Sequence, residues 1–300
     1  MVDNEEWPLV TYIVVSFNHV RFVRDAIESI LGQDYPAIEL IVVDDGSTDG
    51  SVELLRELSA ERNFTLIEKR NGGIVSSVNL AIPMASGEFV AIHASDDISH
   101  VGRTRGQVGI LLSHPGAGFT VGGIRKISEL GDVISPHAPV GRRFYRFDDF
   151  RCGQGRAIAV SCLYRAAAIK GVVPLDESIV FEDVQLYWRV TEQGWSCLYA
   201  DDILSVDYRI IHGSLGRRNK VRLAMDFRRF LGRYDSEKWY PEAVARANSG
   251  IFVQLAVEKK ISALAFLFRN ISSMSISRMI RGVVLIPIPR ALISKIRARY

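Results

Sequence analysis

Short apolar stretches alternate with amphipathic stretches along the first hundred residues. The apolar stretches are rich in β-branched side chains and predict buried strands. The amphipathic stretches repeat apolar side chains every three or four residues, which predicts helices with one buried face. The predicted strands are residues 9–16, 39–43, 64–68 and 89–93, and the predicted helices are residues 21–31, 51–60 and 75–84.

Strands that alternate with helices predict βαβ units and a mainly parallel sheet. In open sheets of this kind, ligands bind at the carboxyl ends of the strands. Polar side chains follow three of those ends, in Ser16-Phe17-Asn18, Asp44-Asp45 and Ser95-Asp96-Asp97. We therefore expect a binding site along that edge of the sheet.

The pattern is weaker after residue 101. Residues 102–156 predict a mixture of helix, strand and loop, and residues 157–164 predict another strand. An amphipathic helix is predicted over residues 180–191 and opens with Glu182 and Asp183. Further helical segments are predicted at residues 221–234, 243–260 and 261–268.

The charge of the chain is unevenly distributed. From Met1 to Tyr208 there are 18 Lys and Arg against 29 Asp and Glu, a net charge of −11. From Arg209 to Tyr300 there are 19 against 5, a net charge of +14. Such an asymmetry predicts two parts with different partners.

Composition and targeting signals indicate a cytosolic globular protein. The composition, 48% hydrophobic and 24% charged, is ordinary for a globular chain. The acidic N-terminus lacks the features of a signal peptide, and no uncharged run approaches the ~20 residues that a membrane span needs. The cysteines, which lack metal-ligand spacing and are interpreted as reduced thiols, are Cys152, Cys162 and Cys197.

Two acidic pairs stand at the predicted strand ends. Asp44-Asp45 alone is compatible with a turn, and Asp96-Asp97 alone with a helix cap. Carboxylates that converge on one crevice repel each other unless a cation lies between them. Mg²⁺ or Mn²⁺ with a diphosphate suits such a site, since hard cations take oxygen ligands that substrate phosphates complete.

Several short motifs follow one another along the chain. They are Ser16-Phe17-Asn18, the run from Asp44 to Ser51, Asn71-Gly72-Gly73, Asn79, residues 86–91 leading to Ser95-Asp96-Asp97, Glu182-Asp183 with Leu186 and Arg189, and Tyr208-Arg209 to His212. Taken together, the order and spacing of these motifs resemble a bacterial family 2 glycosyltransferase of the GT-A fold, over about Pro8 to Ser214. Two positions depart from the family's pattern: Ala94 stands where an Asp is frequent, and Val78 where a basic residue is frequent.

The resemblance implies a fold and a set of donor-binding residues. The fold would be a Rossmann-like mixed α/β sheet flanked by helices, binding a nucleotide-diphosphate sugar. Phe17 would lie against the base, and Asp45 with Asp44 would accept hydrogen bonds from it. The implied donor-binding residues are Ser16, Phe17, Asn18, Asp44, Asp45, Gly73, Asn79, Ser95 and Asp96, and the implied ligands of Mg²⁺ or Mn²⁺ are Asp96, Asp97 and His212.

Asp183 is the implied catalytic base, in a reaction that inverts the anomeric configuration by one direct displacement. The acidic pair alone could merely favour a helix N-terminus through the helix dipole. However, the preceding Leu175-Asp176-Glu177 resembles the family's lead-in to the base. Sequence does not decide which of Glu182 and Asp183 reaches the acceptor, and the family pattern favours Asp183.

The predicted organisation is a catalytic domain, residues 1–214, followed by a basic helical extension, residues 215–300. The domain divides into a nucleotide-binding half, residues 1–100, and an acceptor-binding half, residues 101–214. Residues 136–154 are a candidate acceptor loop or an ordinary surface loop. Basic helices with apolar side chains suit an anionic membrane surface, or they pack on the catalytic domain; no nucleic-acid partner is expected.

The predicted function is transfer of a sugar to a glycan or lipid-linked acceptor in bacterial surface polysaccharide synthesis, at the inner face of the inner membrane. Lipopolysaccharide core, O-antigen and exopolysaccharide are the candidate products, and a rhamnosyltransferase is one candidate within that set. One alternative is a nucleotidyltransferase, which usually carries a Gly-rich basic loop where this chain has Ser16-Phe17-Asn18-His19. The other is a non-catalytic nucleotide- or glycan-binding protein.

Overall fold

The computed structural model describes residues 7–211, 220–274 and 276–287. The chain divides into two compact units, Met1–His212 and Gly213–Tyr300. Each unit has its own group of buried apolar side chains.

The first half of the first unit alternates strands with helices, as the hydrophobic pattern predicts. Most predicted boundaries are met within two residues, because each apolar run ends at a turn-forming segment. The elements are β1 Val10–Ser16, α1 Val23–Leu31, β2 Ile38–Asp44, α2 Ser51–Arg62, β3 Thr65–Glu68, α3 Ile74–Ala81, β4 Phe89–Ala94 and β5 Ile98–Ser99.

The second half contains longer strands and short helices. Its elements are α4 Arg103–Ser113, β6 Ala117–Ile127, β7 Val133–Ser135, β8 Arg142–Tyr145, α5 Phe147–Arg151, β9 Cys162–Arg165, α6 Ala166–Lys170, α7 Asp183–Glu192 and β10 Ser196–Arg209.

Two predictions in this half need correction. The strand predicted from residue 157 begins only at Cys162, because residues 159–161 form a 3₁₀ turn in which the Ser161 N–H and Oγ both donate to the Ile158 carbonyl. The candidate loop 136–154 contains β8 and α5. Its backbone is held down where the Val140 and Gly141 N–H groups donate to the Asp201 carboxylate.

Within the described residues, all ten strands form one mixed sheet with the order β3-β2-β1-β4-β9-β6-β10-β5. The first four strands are parallel, so β1, β2 and β4 end at the same edge. β9 is antiparallel to both β4 and β6. Outside this order, β7 pairs with β6, and β8 pairs with β10.

The backbone at Gly87, just before β4, lies in close contact with the backbone at the start of β1. A Cβ added at Gly87 would lie 2.6 Å from the Thr11 nitrogen and 2.7 Å from the Leu9 carbonyl oxygen. The Gly87 N–H donates to Thr11 Oγ1, and Thr11 in turn bonds to Glu39 on β2. Only a residue without a side chain lets the two strands start this close together.

The second unit is helical in its described part. A long central helix, α9 Tyr240–Glu258, contacts the three others, α8 Lys220–Leu231, α10 Lys260–Asn270 and α11 Ile276–Leu285. Its buried centre includes Ile251, Phe252 and Leu255 of α9 and Ala263 of α10. In the described part of the chain, no helix is both long enough and apolar enough to cross a bilayer.

Candidate active site

The ends of β1 and β2 are joined by a hydrogen-bonded turn. Asp44 accepts from the Ser47 N–H (2.8 Å) and the Ser47 hydroxyl (2.6 Å). Asn18, whose φ of 56° is left-handed, donates its N–H to Ser47 Oγ and accepts from the Thr48 N–H. Asp44 and Asn18 therefore lie close together as predicted, although their described contacts are with the turn.

Asp45 holds a neighbouring loop. Its Oδ1 accepts from Lys69 Nζ at 2.5 Å and from the Gly72 N–H at 2.9 Å, and its Oδ2 accepts from the Gly73 N–H at 2.8 Å. The predicted donor residues Asp45 and Gly73 are thus in direct contact. Three of the roughly four acceptor positions of the carboxylate are occupied, which leaves room for one further donor.

The third strand end is tied to the first through His19. His19 Nδ1 lies 2.8 Å from Ser95 Oγ and 3.9 Å from Asp96 Oδ1. Ser16, at the end of β1, is fully buried, and its hydroxyl has no hydrogen-bond partner among the described residues. A buried hydroxyl without a partner is costly, which favours a ligand that would satisfy it.

Arg209, the last residue of β10, fastens the acidic pair. Its backbone N–H donates to Asp97 Oδ1 at 2.7 Å, and its Nε donates to the Asp96 carbonyl at 2.8 Å. Its guanidinium also donates to the Glu129 carbonyl and stacks over Phe22 at 4.9 Å. The pair Asp96-Asp97 is therefore held by a residue more than a hundred positions away.

The Asp96-Asp97 pair suits a divalent cation. Burial raises the pKa of Asp96, and burial together with the Asp96 charge raises the pKa of Asp97 well above its usual value. A cation would offset both effects. Within the described residues no group of three or more His, Cys, Asp or Glu could hold a metal, so phosphate oxygens would have to complete its coordination. His212 lies outside the described residues.

The described contacts of Asn79 are with the segment that leads into α7, and its predicted contact with the donor stays a prediction. Its Oδ1 accepts from the Leu175 N–H at 2.6 Å, and its Nδ2 donates to the Leu175 carbonyl at 2.9 Å and to Glu177 Oε1 at 3.2 Å. These bonds use three of the four hydrogen-bonding positions of the amide inside the protein. Asn79 therefore joins α3 to the segment that leads into α7.

Glu182 and Asp183 open α7, as predicted, and differ in exposure. Glu182 is buried, and burial followed by the neighbouring Asp183 charge raises its pKa to about 8. Asp183 remains partly exposed, and burial raises its pKa while the Val184 N–H bonds its Oδ1 at 2.7 Å. Burial therefore favours the protonated form of both carboxyl groups by raising each pKa, and Asp183 is the one that remains partly accessible to a substrate.

Asp183 lies near the start of β9, a strand that pairs with β4. β9 runs antiparallel to β4 with Val90 opposite Tyr164, so Cys162 points toward the carboxyl end of β4. Burial raises the pKa of Cys162 to about 12, an effect that Arg103 opposes and the Asp183 charge reinforces. Asp183 thus lies within electrostatic range of the start of β9.

A fully buried arginine contacts the start of β9. Arg103 donates to the Cys162 carbonyl at 3.1 Å and to Gln107 Oε1 at 3.0 Å. Its positive charge also opposes the burial that raises the pKa of Asp97. Arg103 therefore interacts electrostatically with Asp97 and donates a hydrogen bond to the first residue of β9.

Sequence reasoning did not select four residues that the structure brings to the site. Arg103, Lys69 and His19 each stand within a few residues of a strand end, which is the only signal that the sequence carries for them. Arg209 lies in the motif from Tyr208 to His212, which predicts no contact with Asp96 or Asp97. Their contacts join segments that are distant in the chain, so no local pattern reveals them.

Comparison with known proteins gives one family. The sequence model described as "Glycosyl transferase family 2" matches residues 11–172. EpsE of Bacillus subtilis, named as a glycosyltransferase, is 30% identical over 63% of this chain and 68% of its own length. TuaG of the same organism, named for teichuronic acid biosynthesis, is 31% identical over 72% of this chain and 84% of its own.

The fold is also similar to that of a solved crystal structure. The crystal structure of S. aureus TarS 1–349 in complex with UDP-GlcNAc has a TM-score of 0.66, with 16% identity over 91% of this chain and 83% of that one. The predicted GT-A architecture, a mixed sheet flanked by helices with a helical C-terminal region, is confirmed by this likeness and by the sheet itself.

Proposed function

Since the chain belongs to glycosyl transferase family 2, we propose that it transfers a sugar, with inversion, from a nucleotide-diphosphate sugar to a glycan or glycolipid acceptor of a bacterial surface polysaccharide. The observation that supports the proposal is that Asp96-Asp97 follow β4, the strand that pairs with β9, while the charge of Asp183 acts on Cys162 at the start of β9. The pair Asp96-Asp97 suits the diphosphate and its cation, and the pair Glu182-Asp183 suits the acceptor.

The donor would lie along the ends of β1, β2 and β4. Phe17 exposes 42% of its surface there and offers an aromatic face for a nucleobase. The unpartnered Ser16 hydroxyl offers a hydrogen bond. Asp44 and Asp45 hold the surrounding loops, and Asp45 retains one acceptor position for the base.

Asp96 and Asp97 would hold Mg²⁺ or Mn²⁺ together with the diphosphate. When bound, the cation supplies Lewis-acid stabilisation of the charge that develops on the leaving diphosphate. The protein's own part is to fix the pair: Arg209 occupies Asp97 Oδ1 and holds the Asp96 carbonyl, which leaves Asp97 Oδ2 and the Asp96 carboxylate for the ligand.

Asp183 would take the proton of the acceptor hydroxyl as that oxygen attacks the anomeric carbon. A general base works best when its pKa lies near the working pH, and burial moves the pKa of Asp183 in that direction. Glu182 would remain protonated beside it, so that only one negative charge has to be accommodated. Transfer on the face opposite the leaving group inverts the configuration.

The product class and location are part of the same proposal. TuaG is named for teichuronic acid biosynthesis, and another relative, from Staphylococcus epidermidis, is named poly-beta-1,6-N-acetyl-D-glucosamine synthase. These names support a surface polysaccharide as product. We propose the inner face of the membrane as the place of action. Lipopolysaccharide and exopolysaccharide acceptors, and activated rhamnose as donor, are the specific candidates to be tested.

Incubation with Mn²⁺, a panel of UDP-, GDP- and dTDP-sugars and a bacterial lipid extract tests the proposal. We expect nucleoside diphosphate release with one donor. Asp183→Asn should lower kcat by about 10²–10⁴-fold while the donor still raises the Tm. Glu182→Gln is the matched control, and it should retain more activity because the residue it replaces is already protonated.

Two results would overturn the proposal. Absence of nucleoside diphosphate release with every donor, in a protein that is folded, would remove the transferase activity. Full activity of Asp183→Asn would remove this residue as the base and leave the donor site standing.

A further inference from the structure

Helix α10 is apolar on two opposite sides. On the inner side Ala263 is buried, and Phe266 and Leu267 pack against the same cluster. On the outer side Ile261 and Phe268 are 87% and 77% exposed, and Leu264 is 42% exposed. Their spacing of three and four residues places these three side chains on one stripe, the α10 outer face. An exposed apolar stripe of this kind marks an interaction surface.

Helix α11, which also packs against α9, shows the same arrangement. A Cβ at Gly282 would lie 2.3 Å from a ring carbon of Phe252, so α11 approaches α9 closely at that point. Ile280, Val283 and Val284 are nevertheless exposed. Both helices therefore fill their inner contacts and still present apolar side chains outward.

The sequence that forms these two helices and the residues after them carries charged side chains of one sign. Glu258 is the last acidic residue of the chain, and the 42 residues from Lys259 to Tyr300 contain nine Lys and Arg and no Asp or Glu. Lys259 and Lys260 line a shallow depression together with Ile261, at the start of the α10 outer face. Positive charge and exposed apolar surface thus adjoin each other.

We infer that the α10 outer face docks on a lipid surface that carries anionic headgroups. Apolar side chains of an interfacial helix enter the headgroup region, and basic side chains attract the headgroups. A second copy of the chain fits less well, because a symmetric contact would place this exclusively basic segment against itself. The inference does not depend on the reaction that the catalytic unit performs.

Co-sedimentation of the full-length protein with vesicles tests the inference. One vesicle population contains phosphatidylcholine alone, and the other also contains about 30 mol% phosphatidylglycerol. We expect binding to the second population, and a loss of that binding when the salt rises from about 0.1 M to about 0.5 M. The double variant Ile261→Ser/Phe268→Ser should bind at least about tenfold less.

Leu112→Ser is the matched control, because Leu112 is 50% exposed on α4 in the catalytic unit. It should bind vesicles as the wild type does. Lys259→Gln/Lys260→Gln should weaken binding at the lower salt and reduce the dependence on phosphatidylglycerol. Circular dichroism and the Tm should be unchanged in all of them, since each substituted side chain lies on the surface or at the edge of its helix.

Three outcomes would overturn the inference. Equal binding to both vesicle populations would exclude recognition of anionic headgroups. Absence of binding to either would exclude docking on lipid. A dimer in analytical ultracentrifugation that Ile261→Ser/Phe268→Ser dissociates would assign the α10 outer face to a second copy. Donor-dependent release of nucleoside diphosphate, measured separately, is independent of all three.

Discussion

The acidic residues at the strand ends divide into two groups by what they bond. Asp44 and Asp45 accept hydrogen bonds from backbone and side-chain donors of adjacent loops. Burial raises the pKa of Asp96 and Asp97, and fewer hydrogen-bond donors contact their carboxylates. The first pair is therefore stable as the protein stands, whereas the second is the pair that a cation would stabilise.

Glu182 should make the stability of the protein fall as the pH rises. Its pKa is about 8 in the folded state and about 4.5 when unfolded, so the folded protein binds this proton more tightly. The stabilisation is complete below about pH 4.5 and is lost as the pH rises through about 8. Glu182→Gln, which carries no charge at any pH, should remove most of this dependence.

Thermal unfolding of the wild type and Glu182→Gln at about pH 5, 6.5 and 8 and constant ionic strength measures the effect. We expect the Tm of the variant to exceed that of the wild type by about 3 °C or more at the highest pH, and the difference to shrink toward the lowest. Parallel curves for the two proteins would contradict a raised pKa at Glu182.

Asn79 should position the base without touching either substrate. Asn79→Ala removes both hydrogen bonds to Leu175 and frees the segment that leads into α7. We expect kcat to fall about tenfold or more while the KM for the donor changes little, because small misplacements of a catalytic group are costly. Leu80→Ala, an exposed position on the same helix, serves as the control.

The kinetics also distinguish the alternative role of Asn79. A rise in the KM for the donor with kcat unchanged would show that Asn79 binds the donor, as the sequence alone predicts. In that case the bonds to Leu175 would be incidental to activity.

At the scale of elements, two glycines have opposite roles. Gly87 allows β1 and β4 to begin in contact, and an added Cβ would meet backbone atoms of Thr11 and Leu9 that have little freedom to move. Gly109 lies exposed within α4, and an added Cβ would meet no atom within 4 Å. The same substitution should therefore change stability in opposite directions.

Gly87→Ala should lower the Tm by about 5 °C, since overpacking at a rigid contact costs about 1–3 kcal/mol. Gly109→Ala should raise it by about 1–3 °C, because alanine is favoured over glycine inside a helix by about 0.5–1 kcal/mol. Thermal unfolding of the two variants beside the wild type checks both. Equal changes in the Tm of the two variants would show that the contact between β1 and the residues before β4 adjusts to a side chain.

At the scale of the whole molecule, the boundary between the two compact units falls after His212, two residues before the boundary expected from the sequence. Each unit has its own apolar centre. We therefore propose that residues 1–214 form an independent catalytic domain, of a size that is ordinary for one domain.

Residues 1–214 expressed alone should unfold cooperatively and keep the rise in Tm that a bound donor produces. They should not sediment with anionic vesicles, because the basic helical extension is missing. Thermal shift with the donor found in the panel, and co-sedimentation, measure the two properties. Failure of the truncated chain to fold would show that the extension is part of the same cooperative unit.

Local patterns were sufficient for much of the fold. The run of β-branched residues in β1 and the three- and four-residue spacing in α1 depend only on near neighbours, and both elements form almost where predicted. The order of motifs was sufficient for the family. The irregular segment before Cys162 was missed because the Ser161 carbonyl bonds to Gln107, which belongs to a helix more than fifty residues earlier.

The sequence by itself determined the alternating elements, the family and the residue types at the strand ends, since these follow from composition and spacing along the chain. Only the tertiary structure decided which partners these polar side chains bond: that Asp45 bonds Gly73, that Asn79 bonds Leu175, and that Arg209 bonds Asp97. It also decided which side of α10 stays exposed. These properties depend on hydrogen bonds and burial between distant segments, which exist only once the chain has folded.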